Sequence, residues 1–153
     1  MTALVLFVAI VFAVAEMRRT GPPTPNELAQ SEYEQIYEET IAQVTDRGAE
    51  YVQLFNSNKL EELHGHFAPP MKQIMSLEDL RLMREARSRQ LGYYDGLIEQ
   101  SVAVEGENFV YDQISKFHDY EGEVQILITM NAATEIVGFT IQPYYRETSS
   151  EDE

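Results

Sequence analysis

Apolar and polar positions alternate over 123–130, with Val124, Ile126, Ile128 and Met130 on one parity and Glu123, Gln125 and Thr129 on the other. Successive side chains of a strand point to opposite faces, so this pattern predicts a half-buried strand. Three further strands flank it. The first runs from Tyr94 to Glu105 with Ile98, Val102 and Val104 on one face, and Gly106-Glu107-Asn108 turns the chain. The second spans Phe109 to Tyr120, with Phe109, Tyr111 and Phe117 on one face and Val110, Ile114 and His118 on the other; Glu121-Gly122 is its turn. After the turn Asn131–Thr134, Val137, Phe139 and Ile141 take the buried face of a last strand that Pro143 ends, and Gly138 on the other face allows a bend. The expectation is a four-stranded antiparallel meander with Val124, Ile126, Ile128, Val137, Phe139 and Ile141 turned toward whatever covers it.

Helical periodicity precedes the strands. From Asn26, the expected N-cap, Ile36, Ile41, Val44, Val52 and Phe55 recur at helical steps with Tyr33, Tyr37 and Tyr51 beside them. Glu32, Glu34, Glu38, Glu39 and Asp46 take the opposite face, Gly48 marks a kink or a close packing point, and Asn56-Ser57-Asn58 ends the helix. In a short second helix Asn58 and Glu61 have the form of a capping box, Leu60, Leu63 and Phe67 face the core, and Pro69-Pro70 stops it. A third begins at Ser76, carries Glu78 and Asp79 in its first turn, and closes on Gly92. Helices first and a strand meander after predict an α+β fold, with helices packed on one face of a curved antiparallel four-stranded sheet.

The ends differ from this middle. Residues 1–15 carry no ionisable side chain and are too short for a comfortable span, which suits a signal peptide ending near Ala13-Val14-Ala15. Arg18 and Arg19 on the downstream side favour the other reading, an uncleaved membrane anchor with that side facing the cytoplasm. Residues 16–25 form a linker whose prolines keep the leader out of the first helix, 26–145 form the α+β domain, and 146–153 form an acidic tail expected to be disordered. An extracytoplasmic location, secreted or membrane-anchored, is the expectation; the cytoplasmic face of a membrane is the alternative.

Charge and composition narrow the function. With 26 acidic and 11 basic side chains the net charge is −15, which disfavours nucleic acid and anionic membrane surfaces as partners. The chain has no cysteine, so disulfides, thiolate metal sites and a cysteine nucleophile are excluded. Arg81, Arg84, Arg87 and Arg89 form one basic cluster, read as a solvated face pairing with nearby Glu. The chain has 153 residues, which suits one domain with a core that needs no staples.

The segments Glu62-Leu-His-Gly-His-Phe67, Met71-Lys72, Ser76-Leu-Glu-Asp-Leu80 and Ile136-Val-Gly-Phe-Thr-Ile-Gln-Pro143 resemble those of the bacterial and archaeal family called domain of unknown function 3887. The resemblance spans Glu50 to Pro143. It implies a nuclear-transport-factor-2-like, or cystatin-like, α+β cone, of a kind often exported and often placed before a serine hydrolase. The family defines no catalytic residues, so none is carried over.

Candidate chemistry is sparse. Neither a nucleophile elbow nor a phosphate-binding glycine loop is present in the sequence. His64-Gly-His66 beside Glu61 and Glu62 is the best metal-like cluster, but Gly65 leaves the two rings on no fixed face, and neither metal nor cofactor is expected. Asp95, Asp112, Tyr94, Tyr111 and His118 are the candidates for proton transfer by an isomerase- or dehydratase-type enzyme with an Asp/Tyr pair in a pocket, although parity puts Asp112 and Tyr111 on opposite strand faces. The leading expectation is a non-catalytic binding module. Tyr94, Tyr111 and Phe117 are then the candidates to meet a small apolar ligand or a protein partner's side chain. Tyr144 and Tyr145 are candidates for an interface, and a structural homodimer with a filled core is the remaining alternative.

Overall fold

The computed structural model describes residues 24–146. The leader 1–15, the linker to residue 23 and the tail from residue 147 lie outside the described residues. Four helices precede four strands: α1 (Pro25–Asn56), α2 (Leu60–Gly65), α3 (Pro69–Ile74), α4 (Leu77–Leu91), β1 (Tyr94–Glu105), β2 (Asn108–Phe117), β3 (Tyr120–Met130) and β4 (Ile136–Tyr144). The strands pair antiparallel in the order β1-β2-β3-β4, so the sheet is not closed and β1 and β4 are its edges. The α+β expectation holds. Among the described residues no helix is long and apolar enough to cross a membrane.

Local chemistry moves several helix boundaries from their expected places. The cap of α1 is Thr24, not Asn26: its hydroxyl accepts from the Glu27 N–H, while the Glu27 carboxylate accepts from the Thr24 N–H at 2.8 Å. Pro25 then starts the helix, where its missing N–H costs nothing. Asn58 does not cap α2. It takes a left-handed φ of 60° to turn the chain, and Lys59 at the cap position makes no side-chain cap bond. Pro69 and Pro70 begin α3 rather than merely stopping α2. α4 is capped at Ser76 as expected, with Asp79 closing a capping box that the spacing did not announce, and Gly92 follows α4 at φ 74°, where a Cβ would also collide with Asp119.

The 32 residues of α1 extend about 48 Å at 1.5 Å per residue, longer than any strand of this sheet. Its second half packs, with Val44, Tyr51, Val52 and Phe55 buried, whereas every position from 25 to 39 is exposed. Ile36, expected on the packing face, is 63% exposed, with Tyr33 and Tyr37 beside it in solvent. The arginine cluster does more than pair with Glu. Arg81 meets Glu61 and Arg89 meets Glu85, but Arg84 donates to the carbonyls of Phe55 (2.8 Å) and Asn56 (3.0 Å), closing the end of α1, and Arg87 donates to the Ile141 carbonyl.

The sheet carries four irregularities that parity alone could not place. In β4 the ladder skips from Thr129↔Gly138 to Met130↔Ile136, so Val137 is an extra residue. Val137 therefore does not join the core face; Ile136 does, fully buried and bridged to Phe67. In β1, Asp95 and Ile98 are extra residues, so Ile98 leaves the face of Val102 and Val104 and is 39% exposed. The β2–β3 turn falls at His118-Asp119, not Glu121-Gly122, because Phe117 pairs with Tyr120 and the turn N–H groups donate to Tyr93 and Leu91 carbonyls at 3.0 and 2.9 Å. Val124, Ile126, Ile128, Phe139 and Ile141 do face the helices and join Tyr51, Phe55, Leu63, Phe67, Leu80 and Tyr111 in one core.

Two substitutions test this packing. A Cβ on Gly48 would lie 2.5 Å from both Cδ atoms of the Tyr111 ring. Gly48→Ala gains about 1 kcal/mol of helix propensity, yet it should lower stability overall by at least about 1 kcal/mol through overpacking. A raised denaturation midpoint would show that α1 and the sheet can separate freely. Phe139, 7% exposed and 5.3 Å from the Phe55 ring centroid, should cost about 3–5 kcal/mol when cut to Ala. Urea unfolding showing a loss below about 1 kcal/mol would invert the face assignment of β4.

Candidate functional site

The two bulges of β1 put residues three apart, rather than two, on one face. Tyr94 pairs with Phe117, Leu97 with Ser115 and Gln100 with Gln113, and cross-strand partners share a face. Tyr94, Leu97 and Gln100 therefore all look toward α1. With Ala49, Val52 and Asn56 from the helix and Gln113 from β2 they line a groove of about 400 Å³, within the size range of small-molecule sites. Gln53, Ser57 and Tyr93 complete the lining.

Tyr94, Gln100 and Gln113 of this lining belong to a hydrogen-bonded chain of neutral groups that runs into the core. Tyr111 Oη lies 2.6 Å from Gln113 Oε1 and 2.9 Å from Gln100 Oε1. Gln113 Nε2 lies 3.0 Å from Tyr94 Oη and 2.8 Å from Ser115 Oγ. Gln113 and Ser115 are the two buried polar residues of the described core. Burial, then the neighbouring Tyr94 and Asp112, pushes the Tyr111 phenol up to about 12, so it stays protonated throughout the physiological range. Asn56 adds a buried Nδ2 without a partner.

Of the sequence-predicted residues, Tyr94, Tyr111 and Phe117 come together. Tyr94 meets Phe117 edge-on at 5.6 Å and reaches Tyr111 through Gln113. The carboxylates do not join them. Asp95 is an exposed bulge residue. Asp112 pairs with Ser101 and Leu127 on the sheet face away from α1, where one oxygen accepts from Gln125 Nε2 at 2.8 Å and the other is buried without a partner. His118 stacks on Tyr93 at 4.4 Å in the β2–β3 turn. Periodicity missed Gln100 and Gln113, yet a signal was there: Gln113 and Ser115 interrupt the parity of Phe109, Tyr111 and Phe117 with polar groups.

The other candidate sites resolve into structure. His64 Nε2 lies 3.1 Å from the Met75 carbonyl, His66 packs on Tyr51 and Glu61 pairs with Arg81. Among the described residues no group of three or more His, Asp or Glu side chains is placed to hold a metal. A larger groove of about 730 Å³ between α2 and α4 is lined by Glu61, Arg81, Arg84 and Glu85. Its arginines are already engaged with Glu61, with Ser88 and with the carbonyls at the end of α1, and Lys59 and Glu62 add further charge to its lining, whereas the α1–β1 groove carries no charged side chain. Tyr144 carries the Arg146 guanidinium over its ring, and Tyr145 is 80% exposed. No protein-family model, curated protein or solved structure matches the chain.

Asp112 supplies a pH test of this layout. Burial raises its pKa above the ordinary carboxylate value, the Gln125 bond partly opposes the rise, and Glu99 adds to it. The folded state therefore holds this proton more tightly than the unfolded chain, and stability is lost as pH rises through the raised value. Asp112→Asn should be more stable than the parent at pH 7, and the gap should shrink as pH falls toward about 4, where an ordinary Asp protonates. Thermal melts at both pH values decide it; an Asn variant weaker at pH 7 would reveal an unseen compensating partner.

Proposed function

We propose that the chain is a non-catalytic binding module built on a nuclear-transport-factor-2-like α+β cone, with the α1–β1 groove as its ligand site. The observation that carries this reading is the character of the lining: apolar walls at Ala49, Val52 and Leu97, neutral amides and phenols at the floor, and neither carboxylate nor imidazole. An isomerase of the Asp/Tyr type needs its base beside the Tyr pair, and Asp95 and Asp112 are elsewhere. Membership of the family called domain of unknown function 3887 belongs to the same proposal. Two segments behind that resemblance meet in space, since Phe67 bridges Ile136 and the N–H of Ile136 donates to the His66 carbonyl. Export or tethering is part of the proposal and rests on the apolar leader 1–15.

The test is direct. A neutral apolar fluorophore such as Nile red should bind the full chain and be displaced by small apolar ligands. Ala49, exposed on α1, tolerates enlargement without disturbing the core. Ala49→Trp should abolish dye binding with little change in melting temperature. Undiminished binding in this variant would place the ligand elsewhere, and turnover of an enolisable ketone lost in Asp95→Asn would make the protein an enzyme.

A further inference from the structure

We propose that the groove selects uncharged ligands presenting one hydrogen-bond donor beside one acceptor, that is, amides or lactams on an apolar body. This rests on the groove being the ligand site. The argument starts from proton counting. Tyr111 has one phenolic proton but stands within hydrogen-bond distance of the amide oxygens of both Gln113 and Gln100, at 2.6 and 2.9 Å. It cannot donate to both, and an unbridged pair of oxygens at these distances is repulsive. One of the two amides must therefore turn its nitrogen toward Tyr111, and an amide does so by a half-turn that leaves its shape unchanged.

Two arrangements satisfy every contact. In the first, Tyr111 donates to Gln113 Oε1, Gln113 Nε2 donates to Tyr94 and Ser115, and Gln100 donates to Tyr111 through Nε2. The groove then receives the free Tyr94 O–H as donor and Gln100 Oε1 as acceptor. In the second, Gln113 is turned over: Tyr94 and Ser115 donate to its oxygen, it donates to Tyr111, and Tyr111 donates to Gln100 Oε1. The groove then receives Gln100 Nε2 as donor and the Tyr94 oxygen as acceptor. Tyr94 and Gln100 both line the groove, so in either arrangement this pair offers it at least one donor beside one acceptor, next to the polar ends of Gln53, Asn56, Ser57 and Tyr93.

Desolvation disfavours a carboxylate and an ammonium alike in this groove. No charged side chain lines the groove to offset the desolvation of either. A carbonyl adjacent to an N–H matches both arrangements. A carbonyl reaching the helix side would also satisfy the orphan Nδ2 of Asn56.

A matched series with one apolar body tests this: 3-phenylpropanamide, methyl 3-phenylpropanoate, the 3-phenylpropanoate anion and 3-phenylpropylammonium, titrated against the full chain at pH 7 with displacement of Nile red. The amide should bind about three- to tenfold more tightly than the ester, the range one extra net hydrogen bond supplies, and the two ions more weakly than the ester. Tyr94→Phe and Gln100→Leu should each bring the amide and ester affinities together, read as the ratio of the two on the same variant. If Tyr94→Phe melts early, Gln100→Leu carries the test alone, because Gln100 is exposed at the sheet edge. Equal binding of all four heads, or an amide preference that survives in the variant, overturns the inference and leaves the groove reading standing. Failure of the dye and all four ligands to bind overturns both.

Discussion

Where α1 crosses the sheet, Gly48 rests against the face of the Tyr111 ring with no room for a methyl group between them. That contact sets how closely the long helix approaches β2, and the chain around it is arranged accordingly. Tyr111 is wholly buried, so its ring is fixed and its hydroxyl emerges toward β1. A buried phenol without a partner costs about 1–3 kcal/mol, which makes a polar neighbour a requirement of the packing. Gln113 and Gln100 meet that requirement, and in doing so they line the groove. The polarity of the candidate site follows from the same close approach that holds helix to sheet.

The sequence disclosed the elements better than the faces. The meander, the helix start at Ser76, the glycine after α4 and the burial of Leu60, Leu63 and Phe67 were all legible, because capping, turn chemistry and periodicity are local. Faces were misread wherever one residue was inserted, since each bulge inverts the parity that follows it. Ile98 and Val137 were lost from the core face that way, and Ile136 was gained. Tyr94 and Leu97 could not be seen as neighbours on one face for the same reason. The overhang of α1 was illegible because hydrophobic spacing does not encode how far a sheet extends, so Tyr33, Ile36 and Tyr37 read as core from spacing alone.

Charge completes the picture by where it is absent. The chain carries a net −15, with Glu32, Glu34, Glu38 and Glu39 all exposed on the overhanging half of α1. Arg84 and Arg87, from the one basic cluster, turn to backbone carbonyls instead of outward. The neutral groove therefore sits in a negative surrounding field with no cation of its own. Such a field lowers the local concentration of anions, and no charged side chain of the groove offsets an anion's desolvation.

A neutral network differs from a charged one in what it can accommodate. An ion pair fixes the sign of its ligand, and its cost is paid in desolvation at every encounter. The Tyr94–Gln113–Tyr111–Gln100 chain carries no charge and imposes no sign. Its direction reverses by turning amides in place, with no backbone movement and no change in packing against Gly48. Selectivity of this kind falls on hydrogen-bond complementarity and on the apolar walls of Ala49, Val52 and Leu97, while the rigid helix–sheet contact keeps the two in register.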